Sequence, residues 1–321
     1  MDNLEWFRKA KFGMMVHFGL YSLLAGEWGG KRIPWIGEWI RLTARIPMED
    51  YHKLATAFNP ILFNAEEWVL TAKSAGMNYI VVTAKHHEGF CLFKSSYDTF
   101  NSVDGTPFGR DIIAEIAEAC RKHDMKLGLY YSQELDWNEY DGGGYWYNTK
   151  NGHKSNDWDF PDEENKDFDR LFRQKTLPQV RELLTNYGDL LLIWFDTPNV
   201  ITREQSDELY RLVKELQPNC LINSRIGNGL GDYCSLDDNV IPDEYESEIM
   251  TETPATLNHT WGFKYYDDDW KSADEVLRLK NHLNSLGINY LLNVGPDHLG
   301  RIPAPCLDIL REVGEGSAEE C

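Results

Sequence analysis

One apolar run in this chain ends on a carboxylate. Read as a strand, Leu190-Leu191-Leu192-Ile193-Trp194-Phe195-Asp196 places Leu190, Leu192, Trp194 and Asp196 on one face, so an indole and a carboxylate project together at its end. A carboxylate in that position is hydrogen-bonded, paired or put to chemical use, or it caps the loop that follows. Further polar groups stand just past other apolar runs: His17, the adjacent His86 and His87, Tyr131 followed by Asp136, and Arg225 after Asn223. Neighbouring histidines on a strand point to opposite faces and make a poor chelating pair; past its end they suit hydrogen bonding to ring hydroxyls or to backbone. The segment 225–239 combines one arginine, three glycines and three aspartates. Within it Asp237 and Asp238 are either solvated or, if one is partly buried, raised in pKa towards a general acid, and Glu252 near Trp261 is a rival for that task.

Other nucleophiles fit poorly. No G-x-S-x-G elbow occurs, and Cys91 lies inside the apolar run G-F-C-L-F. Carboxylates among aromatics remain, the equipment with which one group attacks an anomeric carbon while a second protonates the leaving oxygen. A sugar-binding barrel without catalysis and a metal-dependent barrel hydrolase using His17, His86 and His87 are the rival readings.

Positioning such groups takes a scaffold whose strand ends converge. Strands are expected at 13–17, 79–83, 127–131, 190–196, 220–223 and 288–293, with two more concealed in 247–253 and around 260–264. Helical periodicity falls between them at 65–75, 111–122, 169–187, 203–216 and 273–286, and again at 305–313. This alternation predicts an α/β protein with a (β/α)8-like, TIM-type barrel, closed or slightly broken, whose site lies at the carboxyl ends of the strands. A dinucleotide fold is disfavoured, because no G-x-G-x-x-G follows the first strand and no Walker loop is present. One catalytic domain over residues 1–313 is expected, followed by a disordered tail at 314–321. A long loop at 138–167, carrying Tyr145, Trp146 and Trp158, is placed at the catalytic face.

Composition agrees. The chain has 321 residues, 42% apolar, and 32 Lys+Arg against 52 Asp+Glu for a net charge of −20, which disfavours nucleic acid and anionic membrane surfaces. No stretch approaches a membrane span and the N-terminus lacks an apolar signal core, so the chain as given reads as soluble and cytoplasmic. Six scattered cysteines form no metal or disulfide pattern. The 11 Trp, 16 Tyr and 14 Phe suit either an aromatic core or flat surfaces for sugar rings.

Ordered motifs then carry a resemblance. W-F-R-x-A-K-F-G at 6–13, V-H-F-G-L-Y-S at 16–22, T-A-K-H-H-E-G-F at 83–90, W-F-D at 194–196, N-S-R at 223–225, W-G-F at 261–263 and L-L-N-V-G-P-D at 291–297 together resemble the α-L-fucosidases of glycoside hydrolase family 29, over about residues 6–313. The resemblance implies a retaining exo-glycosidase that removes terminal α-L-fucosyl units from oligosaccharides or glycoconjugates without a cofactor or metal. It implies Asp196 as the nucleophile. Asp238, from the pattern G-D-Y-x-x-x-x-D-N, is implied as acid/base ahead of Asp237 and then Glu252. His17, His86 and His87 are implied as partners of the sugar hydroxyls, Glu38 and Trp39 as a closing loop, Tyr131 and Trp194 as walls, Arg225 as an electrostatic support and Trp261 as a contact to the C5 methyl. Many members continue into a C-terminal β-sandwich, for which no room is expected here. The implied partner is a fucosylated glycan, with homo-oligomerisation left open.

Overall fold

In the computed structural model, residues 2–142 and 156–319 are described. Eight parallel strands form one sheet: β1 (Phe12–Val16), β2 (Tyr79–Lys85), β3 (Lys126–Tyr131), β4 (Leu192–Phe195), β5 (Leu221–Ile222), β6 (Cys234–Ser235), β7 (Thr251–Thr256) and β8 (Ile288–Val294). They pair in the order β5-β4-β3-β2-β1-β8-β7-β6. The two end strands meet through a parallel bridge between Asn223 and Tyr233, and the Asp232 amide donates to the Ile222 carbonyl at 2.7 Å, so the sheet closes on itself. The expected barrel is present. Its irregularity lies at that seam, where β5, β6 and β7 follow one another without a covering α-helix.

Alternation along the strands sorts the core into two shells. Met15, Tyr79, Val81, Tyr130, Leu192, Trp194 and Leu291 fill the inside of the barrel. Their immediate neighbours Met14, Val16, Ile80, Val82, Leu129, Ile193, Phe195 and Leu292 face outwards onto the helices. The interior is narrow: a Cβ at Gly128 would come within 2.7 Å of the Leu192 side chain, and one at Gly13 within 2.4 Å of the Tyr79 ring. The helix Asn3–Ala10 plugs the amino-terminal end, Phe7 meeting Tyr79 and Tyr233 edge-on at 5.3 and 4.9 Å.

Four of the outer helices start on side-chain caps that satisfy otherwise orphaned amides. Asn64 caps α1 (Ala65–Ser74), Asp111 caps α2 (Ile112–Lys122), and α3 (Leu177–Asn186) follows. Thr202 and Gln205 form a capping box on α4 (Arg203–Leu216), and Ser272 caps α5 (Ala273–Ser285). The helix expected at 169–187 is broken: Phe168–Leu171 passes through a π turn, Phe172–Thr176, before α3 begins. That turn leaves Lys175 buried.

Three sequence expectations are corrected. Residues 260–264 form no strand; the remaining barrel strand is β6, two residues long and too short to show alternation. The segment 190–196 is strand only from Leu192, so Leu190 packs in the outer shell. The last helix, α6 (Ala304–Glu319), runs through most of the expected disordered tail. Much of the long loop, including Tyr145 and Trp146, lies outside the described residues; Trp158 donates from Nε1 to the Ile46 carbonyl at 3.0 Å. Among the described residues no helix is long and apolar enough to cross a membrane.

Candidate active site

The carboxyl ends of the strands open on a narrow cleft, with about 300 Å³ of space when the open solvent at its mouth is included. Asp196 follows β4 directly. Arg225 stands in a single 3-10 turn, Ser224–Ile226, just past β5, and Asp238 follows β6 by three residues. All three line the cleft, and the guanidinium joins the carboxylates: Nη1 donates to Asp196 Oδ1 at 2.9 Å and Nη2 to Asp238 Oδ1 at 2.7 Å. The Arg225 carbon also lies 4.6 Å from the Trp194 ring centre, a cation–π contact that fixes the clasp from below.

The two carboxylates are treated differently. Asp196 is almost enclosed. Burial pushes its pKa up, but Arg225, His87 and the Tyr130 hydroxyl, which donates to Oδ2 at 2.9 Å, overcome this and hold it below the usual carboxylate range. Its other oxygen accepts from the Thr197 amide at 2.9 Å, a turn that places the β-branched Thr197 at φ 52°. Asp238 keeps 48% of its side chain exposed and shifts the other way: desolvation on its cleft side and the nearby Asp196 charge raise it, outweighing Arg225. The geometry therefore provides an anion beside a carboxyl of raised proton affinity.

His17, His86 and His87 converge. His86 lies 5.4 Å from His17 and 4.1 Å from His87 between ring centres. His86 and His87 stand just past the end of β2, where the chain has left the ladder and strand alternation does not govern them, as the second reading of the pair expected. His87 stays behind the lining, 3.7 Å from Asp196. Burial lowers the pKa of His17 to about 4 and that of His87 to about 3, so both rings are neutral. Asn293 donates to the Trp261 carbonyl at 2.8 Å, leaving its Oδ1 to accept from His17 Nδ1 at 2.7 Å; this makes His17 Nε2 an acceptor. His86 lines the cleft, while its Nδ1 is buried with no partner among the described residues.

Glu38, Trp39, Trp194 and Trp261 also line the cleft. Glu38 is buried, accepts from the Gly262 amide at 2.8 Å and has its pKa pushed up to about 7 by desolvation. Tyr131 does not line it. As an outward position of β3 it donates to Gln179 Oε1 at 2.8 Å, and Tyr130 takes the inner place, sharing a face with Gly128. Glu252 is sealed beneath Trp194, its oxygens taken by the Trp194 indole at 3.0 Å and the Tyr79 hydroxyl at 2.7 Å; Asp237 is exposed and outside the lining. Beyond Tyr130, two positioning residues escaped the sequence reading. Gln133 accepts from the Asp196 amide at 2.8 Å and donates to the Arg225 carbonyl at 2.9 Å, while Asn293 orients His17. Polar residues within apolar motifs were their available signal.

A closed parallel β/α barrel that gathers two carboxylates on one arginine between aromatic walls defines a barrel glycoside hydrolase. Comparison with known proteins narrows the class: the family model described as Alpha-L-fucosidase matches residues 2–316, and the chain belongs to that family. Among solved structures, alpha-L-fucosidase AlfC from Lactobacillus casei, in complex with α-L-fucose product, is 51% identical with a TM-score of 0.94, covering 100% of this chain and 99% of that one. A variant of AlfC is known in complex with Fuca(1,6)GlcNAc. The alpha-L-fucosidase from Vibrio sp. strain EJY3 is 38% identical with a TM-score of 0.92, covering 98% and 55%. Tissue alpha-L-fucosidase of Rattus norvegicus is 30% identical over 332 residues, 97% of this chain and 67% of the relative.

Proposed function

We propose that this chain releases terminal α-L-fucosyl residues by a retaining double displacement, with Asp196 as nucleophile and Asp238 as acid/base. The observation that carries the assignment is the Arg225 clasp, which holds one carboxylate low and fully ionised beside another raised in pKa. An Asp196 oxygen attacks C1 as the glycosidic bond breaks and Asp238 protonates the leaving oxygen, forming a fucosyl ester on Asp196. Asp238 then takes a proton from water, which attacks C1 and frees Asp196, giving fucose with retained configuration. The neutral acceptor His17 Nε2 and the cleft-lining His86 receive the sugar's hydroxyls, and Trp261 packs on its methyl-bearing face. The glycan acted on is a fucosylated oligosaccharide, in keeping with the ligands of the AlfC complexes. We place the activity in the cytoplasm, where the free thiols of Cys91, Cys120, Cys220, Cys234 and Cys306 stay reduced.

Trapping with a 2-fluorinated fucosyl inhibitor tests the reading. Mass spectrometry is expected to place the fucosyl label on the peptide containing Asp196, and proton NMR to show α-fucose as the first product. A label elsewhere, or β-fucose first, would overturn it.

A further inference from the structure

At the mouth of the cleft a tryptophan stands 41% exposed in the left-handed region of backbone space, Trp35 at φ 71°. A large side chain pays for that conformation with strain that glycine or asparagine would largely avoid. The surrounding fastenings hold it there. Lys264 Nζ donates to the Trp35 carbonyl at 2.6 Å, the Tyr266 hydroxyl donates to the Ile33 carbonyl at 2.8 Å, and the Gly37 amide donates to Thr260 Oγ1 at 2.7 Å. The strap 33–37 is thereby tied to the segment that carries Trp261.

Trp35 packs against a residue of the cleft wall. Its ring lies 5.2 Å from that of Trp39, at an angle of 53°, and the next residue, Ile36, lines the cleft with Trp39. The strap borders the pocket of the proposed proton donor, because Ile36 and Glu38 line the same cleft as Asp238. The unit departing with the Asp238 proton leaves past this side, and a flat aromatic surface fixed beforehand binds a flat apolar face at low ordering cost.

From this placement we infer that Trp35 is the platform for the leaving sugar, stacking on the C–H face of a pyranose bonded to the fucosyl unit through the scissile oxygen. The inference rests on the fucosidase reading above and adds the residue that selects a sugar aglycone over a small leaving group.

The test compares Trp35→Ala and Trp35→Phe with the wild type on Fucα1,6GlcNAc and on α-L-fucosyl fluoride, whose leaving group has no ring. Trp35→Ala is expected to lower kcat/KM on the disaccharide about tenfold while leaving fluoride hydrolysis and competitive inhibition by fucose unchanged; Trp35→Phe restores most of the loss. Equal losses on both substrates, or no loss on the disaccharide, would overturn the platform. A wild type inert towards fucosyl fluoride would overturn the underlying fucosidase reading instead, and the platform with it.

Discussion

Two groups of charged side chains lie on either side of the barrel wall, and they are built on opposite terms. Behind the wall, Asp136 accepts from Lys85 and Lys175, each at 2.9 Å, and Lys175 also pairs with Glu139 at 2.8 Å, so two cations balance two carboxylates. Its three central members are at most 2% exposed, and the lysines overcome burial to bring Asp136 down to about 2. In the cleft, one guanidinium serves both Asp196 and Asp238, so the charges balance only while one of the two carboxyls holds a proton. A balanced cluster holds structure: the Trp137 amide beside it ties that loop to the His87 carbonyl at 2.8 Å. One whose balance depends on a proton, and which is partly wet, holds chemistry in reserve. Tyr131 belongs to the balanced side, its ring 4.7 Å from Lys85 Nζ, which accounts for its absence from the cleft.

The sharpest way to break the contrast is to remove each cleft carboxylate. Asp196→Gly is expected to lower kcat on an aryl fucoside by about 10³-fold or more, and Asp238→Ala to lower it strongly on poor leaving groups and less on activated ones. Azide then separates their roles: it yields β-fucosyl azide with Asp196→Gly and the α anomer with Asp238→Ala. Rescue at Asp237→Ala or Glu252→Ala, with none at Asp238→Ala, would reassign the acid.

Next in size, Asp136→Asn leaves the buried Lys85 without its carboxylate and Lys175 with Glu139 alone, and is expected to cost about 3–5 kcal/mol of stability in urea melts, while kcat of the folded fraction stays near wild type. Because the Asp136 pKa is depressed on folding, its contribution is in place above the unfolded value near 4 and is lost as pH falls towards about 2. A large fall in kcat at full stability would put Asp136 in the reaction rather than the scaffold.

The smallest effect concerns pH. The proposed mechanism needs Asp196 ionised and Asp238 protonated, so on that reading activity falls on the acid side as Asp196 gains its proton and on the basic side as Asp238 loses its own. Arg225 lowers both groups, and Arg225→Gln is expected to move both limbs of kcat/KM to higher pH by about one unit. An unmoved acid limb would show that other groups keep Asp196 ionised.

Asp196 was legible in the sequence because a buried run has few ways to end on a carboxylate, and the strand frame of β1, β2, β3 and β8 was legible because their apolar runs are long. Tyr130 was missed although Gly128 marked its face, the position where Leu192 leaves no room for a side chain. That His86 and His87 stand past the end of β2 was legible, but which of the two lines the cleft depends on the irregular exit of the chain between Thr83 and Lys85, which residue types do not encode. Strand β6 was hidden because two residues have no period, and the roles of Gln133 and Asn293 depend on contacts between distant segments, which no local pattern specifies.

The seam of the barrel has a consequence for how such a site diversifies. The proposed nucleophile directly follows a strand with hydrogen-bonded neighbours on both sides, whereas the proposed proton donor follows a two-residue stave beside a single bridge. Lengthening or re-routing the chain at that slit disturbs few backbone pairings and leaves the attacking aspartate in place. Descent with altered leaving-group preference has its least obstructed route there, through relocation of the acid against a fixed point of attack.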